Sequence, residues 1–273
     1  MLIGEVLRLA QKAHLRIEME VFLCDLLGLN RLDLVANSKD EIPVEKLALL
    51  QKAWVKIMNG VPVAYLTHKK EFFGIELYVD ENVLIPRPCT EQLVTWALSK
   101  AQDSVLEIGT GSGAIAIAIK KTRPELKVVA TDVSSSALVV ANKNCVQCGV
   151  DIGLIQSDLL DEVPQENFDT LVCNLPYIGL VEHASIAENV EKYEPHLALF
   201  GGEDGLELYR RLFEQIRMQG RGFKYVFGEL GFSQGEAIRS LACELLPEME
   251  FTLRQDYEGL DRHFLLERKP FSC

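Results

Sequence analysis

From residue 104 onward, short apolar segments that fit strands alternate with segments in which apolar residues recur at helical spacing. Strands are predicted at 104–108, 127–131, 153–156, 168–173 and 224–230. This rhythm predicts an α/β fold with an open, mostly parallel sheet that helices cover on both faces. Two last strands, at 250–253 and 263–267, have no helix between them, so they are expected to pair antiparallel or to lie at an edge.

The chain before this region has a different pattern. Residues 1–70 show apolar residues at helical spacing only, which predicts a small bundle of three or four helices. The alternation of Phe73, Ile75, Leu77 and Val79 then predicts a strand. The sequence therefore predicts a helical unit that precedes the α/β region.

A glycine-rich turn joins the strand at 104–108 to the next helix. Gly109, Gly111 and Gly113 let the backbone turn sharply and let a ligand lie against the main chain, and the helix that follows offers free N–H groups. Asp132 ends the next strand, where a carboxylate can accept both ribose hydroxyls of an adenosine. Together these residues predict a nucleotide site.

The turn fits two classes of nucleotide. Its first two glycines and Ala114 satisfy the G-x-G-x-x-A spacing of dinucleotide-binding proteins. Its three glycines, with Glu107 just before them, resemble S-adenosylmethionine-dependent methyltransferases, in which the methionine end of the cofactor occupies the loop. In those enzymes an acid after the third strand receives the adenine amino group, and here Asp158 is followed by Leu159 at that point.

The tetrapeptide Asn174-Leu175-Pro176-Tyr177 follows the fourth strand, at the edge of the sheet where ligands bind. The side-chain carbonyl of Asn174 and the backbone carbonyl of Leu175 can accept the two N–H bonds of a planar NH2 group. Pro176 stiffens the turn and removes a competing donor, and Tyr177 can lie against the planar group. These residues predict methyl transfer to an amide or amino nitrogen, whose lone pair is delocalised and must be oriented.

Further segments resemble one family, the release factor glutamine methyltransferases, also known as the PrmC or HemK family. The resemblance covers nearly the whole chain. It rests on Gly60-Val61-Pro62 with Tyr65, Phe72-Phe73-Gly74, Val83 to Pro88 with Thr90-Glu91, Tyr193-Glu194-Pro195, Gly201 to Leu206, Glu229-Leu230-Gly231 with Gln234, and Asp256 with Gly259, Asp261 and Arg262.

The resemblance implies a fold and an activity. The fold is that of a class I methyltransferase, Rossmann-like with a mostly parallel seven-stranded sheet. A small helical bundle precedes it at the N-terminus. Residues 1–70 would form a substrate-docking domain, 71–89 an interdomain hairpin and loop, and 90–273 the catalytic domain. The activity would be methylation, by S-adenosylmethionine, of the glutamine side-chain amide in the Gly-Gly-Gln motif of class I peptide-chain release factors.

Site residues follow from the motifs and the resemblance together. The residues expected to carry catalysis and bind the substrate amide are Asn174, Leu175, Pro176 and Tyr177, with Arg87 as a further substrate contact. The residues expected to bind the cofactor are Glu107, Gly109, Thr110, Gly111, Ser112, Gly113, Asp132, Asp158, Leu159 and Asn174. No metal site is expected.

Two departures from the family pattern keep an alternative open. Leu175 stands where the family has a proline, and Cys89 stands where it has an acidic residue. The main-chain carbonyl that accepts the substrate survives the first change. However, Asn-Leu-Pro-Tyr also occurs in ribosomal RNA adenine dimethyltransferases, so an adenine amino-methyltransferase acting on RNA or DNA is the second hypothesis. A nicotinamide oxidoreductase would leave the tetrapeptide without a role.

Charge and composition help to discriminate between these hypotheses. Residues 1–70 carry a net charge of +2 and residues 71–273 a net charge of −14, which opposes a nucleic-acid groove on the catalytic part. The seven cysteines are scattered, unlike a secreted disulfide framework. No apolar run approaches the roughly 18 residues of a membrane span. A cytoplasmic protein with no membrane association and no direct nucleic-acid contact is therefore expected.

Overall fold

A computed structural model describes residues 1–180 and 186–269. The chain packs as two compact units. The first contains residues 1–69 and the later segment Glu188–Tyr193, and the second contains the remaining described residues from Lys70 onward.

The first unit is helical. Its helices are α1 (Ile3–Lys12), α2 (Arg16–Leu27), α3 (Arg31–Ala36), α4 (Val44–Met58), α5 (Val63–Thr67) and, from later in the chain, α9 (Glu188–Tyr193). The apolar face of α1 is buried in a core with residues of α2, α3 and α4. Residues 1–70 thus hold five helices rather than three or four, because α3 and α5 have six and five residues and are too short to show a period.

A β-hairpin opens the second unit. Strands β1 (Lys70–Phe72) and β2 (Ile75–Leu77) pair antiparallel. The single strand expected over 73–79 is wrong, because Phe73 and Gly74 both have positive φ, at 53° and 70°, and reverse the chain. Alternating apolar residues on the two sides of so tight a turn are indistinguishable from one continuous strand.

Seven further strands form the main sheet. They are β3 (Ser104–Ile108), β4 (Lys127–Asp132), β5 (Gly153–Gln156), β6 (Thr170–Cys173), β7 (Tyr225–Glu229), β8 (Met249–Gln255) and β9 (Asp261–Arg268). Their order is β5-β4-β3-β6-β7-β9-β8, with β9 antiparallel to both of its neighbours and the other pairs parallel. The expected seven-stranded, mostly parallel α/β fold is confirmed.

Helices cover both faces of this sheet. They are α6 (Thr90–Leu98), α7 (Ala114–Thr122), α8 (Ser135–Cys148), α10 (Glu207–Met218) and α11 (Gly235–Leu245). All five residues of β3 are buried, and successive residues enter different cores: Val105 packs with α6 and α7, whereas Leu106 packs with α10 and α11. The run of apolar residues in β3 is the consequence of burial on both faces.

The strand order positions the functional site. The chain crosses from β3 to β4 on one side and, later, from β5 to β6 on the other side of β3. The carboxyl ends of β3, β4 and β6 therefore meet where the order reverses, which is where open α/β sheets bind ligands. Gly109, Asp132 and Asn174 lie at these three strand ends.

The segment after the tetrapeptide, predicted as a long loop over 178–205, contains regular structure. It includes α9 and a short 3-10 helix (His196–Ala198), while residues 181–185 lie outside the described part. Ile178 bonds through its N–H to Leu199 O (3.1 Å) and through its O to Gly201 N (3.0 Å). Backbone pairing thus ties the end of this segment to the residues that follow the tetrapeptide.

Candidate active site

A cavity of about 280 Å³ opens at the carboxyl ends of β3, β4 and β6. It brings together most of the residues expected at the site. Its lining includes Arg87, Glu107, Gly109, Thr110, Gly111, Ser112, Asp132, Asp158, Leu159, Asn174, Leu175 and Pro176. Gly113 and Tyr177 do not line it.

The glycine turn is fixed to the neighbouring strand. The N–H groups of Gly109 and Thr110 both donate to the backbone oxygen of Thr131, at 2.9 and 2.8 Å. Gly109 and Gly111 have φ values of 75° and 55°, which L side chains rarely adopt. Gly113 likewise has a positive φ, at 83°, and it also packs closely, because a Cβ there would lie 3.0 Å from the side chain of Ile117.

Glu107 lies fully buried beneath the turn. Its Oε2 accepts hydrogen bonds from the Thr110 hydroxyl (2.6 Å) and the Ala116 N–H (3.1 Å), whereas its Oε1 is buried and has no hydrogen-bond partner among the described residues. Burial raises the pKa of Glu107 to about 8, against the opposing effect of the two hydrogen bonds. A ligand that brought an amino group to Oε1 would satisfy this oxygen and stabilise the ionised carboxylate.

Asp132 keeps acceptor capacity after its contacts with the protein. Its Oδ2 accepts from Gly111 N (2.8 Å) and its Oδ1 from Ser134 N (2.9 Å). Burial raises the pKa of Asp132, and these two N–H groups oppose that rise. An ionised carboxylate has about four acceptor positions, so both oxygens can still accept a ligand hydroxyl.

Asp158 is paired with a residue that the sequence analysis did not select. Its Oδ2 accepts from the guanidinium of Arg211 on α10 at 2.7 Å, and Arg211 also lines the cavity. Leu159 has a positive φ of 53°, which turns the backbone at the cavity wall. Ser157 stabilises this turn, because its hydroxyl donates to Leu159 O at 3.0 Å.

Arg87 forms an ion pair with a buried carboxylate and is itself partly exposed. Its guanidinium contacts the carboxylate of Glu194, whose side chain is only 1% exposed. The N–H of Ile85 donates to the second oxygen of Glu194 at 3.1 Å. Glu194 therefore holds the loop of residues 85–88 along the cavity, and the guanidinium expected to contact substrate is engaged within the protein.

The tetrapeptide is anchored at both ends. The Nδ2 of Asn174 donates to the Thr90 hydroxyl at 3.3 Å, and the hydroxyl of Tyr177 donates to Glu229 Oε1, also at 3.3 Å. Leu175 between them is 3% exposed and contributes to the core. Tyr177 therefore anchors the tetrapeptide through its hydroxyl, and its contact with a planar substrate group stays a prediction. Burial first, and then the charge of Glu229, raise the pKa of its phenol well above the ordinary value.

Glu229 and Thr90 are the main site residues to which the sequence analysis gave no role, although both lie in segments that carry the family resemblance. Glu229 ends β7, the strand next to β6, so its position at a carboxyl strand end was the signal that could have revealed it. It accepts from the Thr90 hydroxyl at 2.7 Å. Cys89, the departure from the family pattern, places its Sγ 3.9 Å from the other carboxylate oxygen, and burial, together with that carboxylate, raises the pKa of the thiol to about 11.

Two family models match the chain. Residues 5–67 match the PrmC N-terminal domain, and residues 88–197 match the methyltransferase small domain. A release factor glutamine methyltransferase of Streptococcus pneumoniae is 37% identical, over 82% of this chain and 81% of its own length. The chain belongs to the release factor glutamine methyltransferase family.

Other members of the family show similar agreement. The release factor glutamine methyltransferase of Lactococcus lactis is 36% identical over 90% of this chain and 92% of its own length. That of Flavobacterium psychrophilum is 38% identical over 86% of this chain and 85% of its own length. The chain therefore aligns with nearly the full length of these relatives, across both units.

Solved structures agree on the fold. A methyltransferase from Pyrococcus furiosus has a TM-score of 0.56 at 19% identity, covering 80% of this chain and 98% of its own. The ribosomal protein L11 methylase of Lactobacillus delbrueckii subsp. bulgaricus has a TM-score of 0.51 at 22% identity. The match covers 70% of this chain and 84% of that protein's chain. Membership of the family makes this chain a methyltransferase that uses a donor of the S-adenosylmethionine type.

Features of two other protein classes are absent from the part of the chain that the structure describes. Within 1–180 and 186–269, no His, Cys, Asp and Glu side chains form a group of three or more that could hold a metal ion. No helix in the same ranges has the length and apolar character required to cross a membrane.

Proposed function

We propose that this chain transfers a methyl group from S-adenosylmethionine to the side-chain amide nitrogen of the glutamine in the Gly-Gly-Gln motif of class I peptide-chain release factors. The observation that carries the proposal is the orientation of Asn174. Its NH2 group faces Thr90, which leaves its Oδ1 available as an acceptor at the cavity that Glu107 and Asp132 also line.

The cavity residues suit this methyl donor. When bound, S-adenosylmethionine supplies an electrophilic methyl group on a sulfonium. The unpartnered Oε1 of Glu107 suits the amino group of its methionine part, and the two oxygens of Asp132 suit the hydroxyls of its ribose. Gly109 and Gly111 leave the main chain open beside these two carboxylates.

The tetrapeptide can orient a planar amide nitrogen and increase its nucleophilicity. An amide nitrogen is a poor nucleophile because its lone pair is shared with the carbonyl. Asn174 Oδ1 and Leu175 O accept its two N–H bonds, increase the electron density on the nitrogen and hold it in one orientation. Pro176 has no N–H that could compete for these acceptors. No strong base is required if the proton leaves after the methyl has been transferred.

Asp132→Ala is expected to weaken donor binding. Charge-assisted hydrogen bonds contribute about 1.5–3 kcal/mol each, so the Kd for S-adenosylmethionine should rise at least about tenfold. Calorimetric titration measures this change. The matched control is Asp151→Ala, at an exposed position that does not line the cavity, where the Kd should be unchanged. Unchanged affinity in Asp132→Ala would remove the ribose contact from the proposal.

The helical unit is proposed to hold the body of the release factor. The tetrapeptide suits any planar nitrogen and cannot select one glutamine among many. Residues 1–70 carry a net positive charge and contain no part of the donor site, so they are free to bind a partner. In this scheme residues 90–273 carry the chemistry, and 71–89 connect the two. Contacts remote from the reacting amide then supply its orientation.

A labelling experiment tests the proposed function. The enzyme is incubated with S-adenosylmethionine labelled in its methyl group and with a folded class I release factor, a short peptide bearing its Gly-Gly-Gln tip, or bulk RNA. Label is expected on the tip glutamine, and kcat/KM for the folded factor should exceed that for the peptide. A factor whose tip glutamine is replaced by alanine is the control. Labelled RNA, or an unlabelled factor, would overturn the proposal, and equal efficiencies for factor and peptide would overturn the docking role.

A further inference from the structure

Glu229 is a buried carboxylate that receives hydrogen bonds from two separate segments. It is 1% exposed. The Thr90 hydroxyl donates to its Oε2 at 2.7 Å, and the Tyr177 hydroxyl donates to its Oε1 at 3.3 Å. Through Thr90 it also reaches Asn174, so a single carboxylate is connected to both ends of the tetrapeptide.

The direction of these hydrogen bonds is determined by the carboxylate. The hydroxyl of Thr90 has a single proton, which it donates to Glu229 Oε2. The oxygen of Thr90 is then restricted to accepting. The group of Asn174 that faces it at 3.3 Å must be the donor, Nδ2. The opposite amide orientation would place Oδ1 against the lone pairs of the hydroxyl.

Burial makes this constraint effective. Thr90 lines the cavity but is only 4% exposed, so water has little access to replace either partner of its hydroxyl. Its backbone is also fixed, because Thr90 is the first residue of α6 and its N–H donates to Arg87 O at 3.2 Å. The hydroxyl is therefore held between Glu229 and Asn174 by the start of a helix.

We propose that Thr90 and Glu229 are positioning residues that fix the amide orientation of Asn174, so that its Oδ1 faces the substrate nitrogen. This inference rests on the proposed function, because it concerns the acceptor that Asn174 presents. Neither residue needs to touch the substrate for this role. Thr90 and Glu229 determine which atom of the Asn174 amide is the donor towards Thr90. The other atom, Oδ1, then faces the substrate nitrogen.

The test compares Thr90→Val, Thr90→Ser and Thr95→Val. Valine has nearly the shape of threonine without the hydroxyl, and kcat is expected to fall about ten- to hundredfold, because an oriented hydrogen bond is lost. Serine restores the hydroxyl and should keep kcat within about threefold, because the same bond can form. Thr95→Val makes the same change on the same helix at an exposed hydroxyl that donates to Glu91 O, away from the cavity, and should leave kcat unchanged.

Two further measurements separate positioning from a loss of folding. The Kd for S-adenosylmethionine should stay within about twofold in every variant, since neither Glu107 nor Asp132 is altered. In 15N–1H spectra, the side-chain NH2 signals of Asn174, identified by their absence in Asn174→Ala, should shift in Thr90→Val and not in Thr95→Val. Glu229→Gln is a second variant, in which kcat should fall about fivefold because a neutral acceptor replaces a charged one.

The outcomes distinguish this inference from the proposed function. If the unaltered enzyme does not label the release factor, the proposed function fails, and the positioning role fails with it. If the unaltered enzyme is active and Thr90→Val is equally active, only the positioning role fails. Unshifted Asn174 signals in Thr90→Val would also overturn it. Loss of activity in Thr90→Val with rescue by serine and unchanged donor affinity supports it.

Discussion

Asn174→Ala is expected to lower kcat for methyl transfer about 100- to 1000-fold, because loss of one oriented polar group at a transition state costs roughly 3–4 kcal/mol. Donor affinity should change much less. The residues that suit the donor, Glu107 and Asp132, are held by the glycine turn and by Ser134, and none of those contacts involves Asn174. Single-turnover kinetics with a saturating folded release factor measures the effect on the chemical step.

The matched control is Asn142→Ala. Asn142 lies on α8 at an exposed position and does not line the cavity, so the same substitution should leave kcat and the donor Kd unchanged. Near-normal turnover in Asn174→Ala would show that the amide is held by other groups. Loss of donor binding in parallel with kcat would instead show that Asn174 acts mainly by holding the donor, the second role expected for it from the sequence.

The central strands were predictable because they satisfy one strong physical constraint. β3 and β6 are buried along their whole length, so nearly all of their residues are apolar or small whichever face they occupy; the exception is Glu107, which belongs to the site. The hairpin at 70–77 was implied by the family resemblance, which places an interdomain hairpin and loop at 71–89, and not by the local apolar pattern. Its turn depends on positive φ at Phe73, a bulky residue that gives no turn signal.

The same distinction applies to the site. Asp132 and Asn174 lie at the ends of parallel strands, where ligands bind in this topology. The alternation of strand and helix patterns in the sequence is enough to predict that position. Glu229 also ends a strand, but its role depends on Thr90 and Tyr177, which belong to distant parts of the chain. Pairings of this kind arise only after the elements pack, so no local pattern records them.

The third glycine of the turn illustrates a further limit. Spacing assigned Gly113 to the donor site. Gly113 does not line the cavity, and besides its positive φ of 83° it lies against Ile117 and Ala141, with Ala141 Cβ 3.4 Å from where a Cβ would lie. A glycine required for close packing of two helices has the same appearance in sequence as one required for ligand approach. Only the neighbours reveal which requirement applies.

Gly205→Ala is expected to damage both stability and catalysis. Gly205 is buried with a φ of 73°, and a Cβ there would overlap the backbone oxygen of Tyr177. That oxygen accepts from Gln234 Nε2 at 2.7 Å. A left-handed non-glycine residue costs about 1–2 kcal/mol and overpacking about 1–3 kcal/mol, so the free energy of unfolding should fall by about 2–5 kcal/mol. Denaturant unfolding measures this change.

Gly220→Ala separates the cost of the left-handed backbone from the cost of overpacking. Gly220 also has a positive φ, at 61°, but it is exposed and nothing lies within 4 Å of the added Cβ. The free energy of unfolding of Gly220→Ala should therefore fall only by the cost of the left-handed backbone, about 1–2 kcal/mol. In Gly205→Ala, displacement of Tyr177 shifts the tetrapeptide that ends there, and a misplacement of about 1 Å lowers kcat by about 100-fold. Gly220→Ala should retain full kcat below its unfolding transition. If both variants lost stability equally and kept kcat, the tetrapeptide would not depend on the close approach of Gly205, and its position would be determined by Glu229 and Thr90 alone.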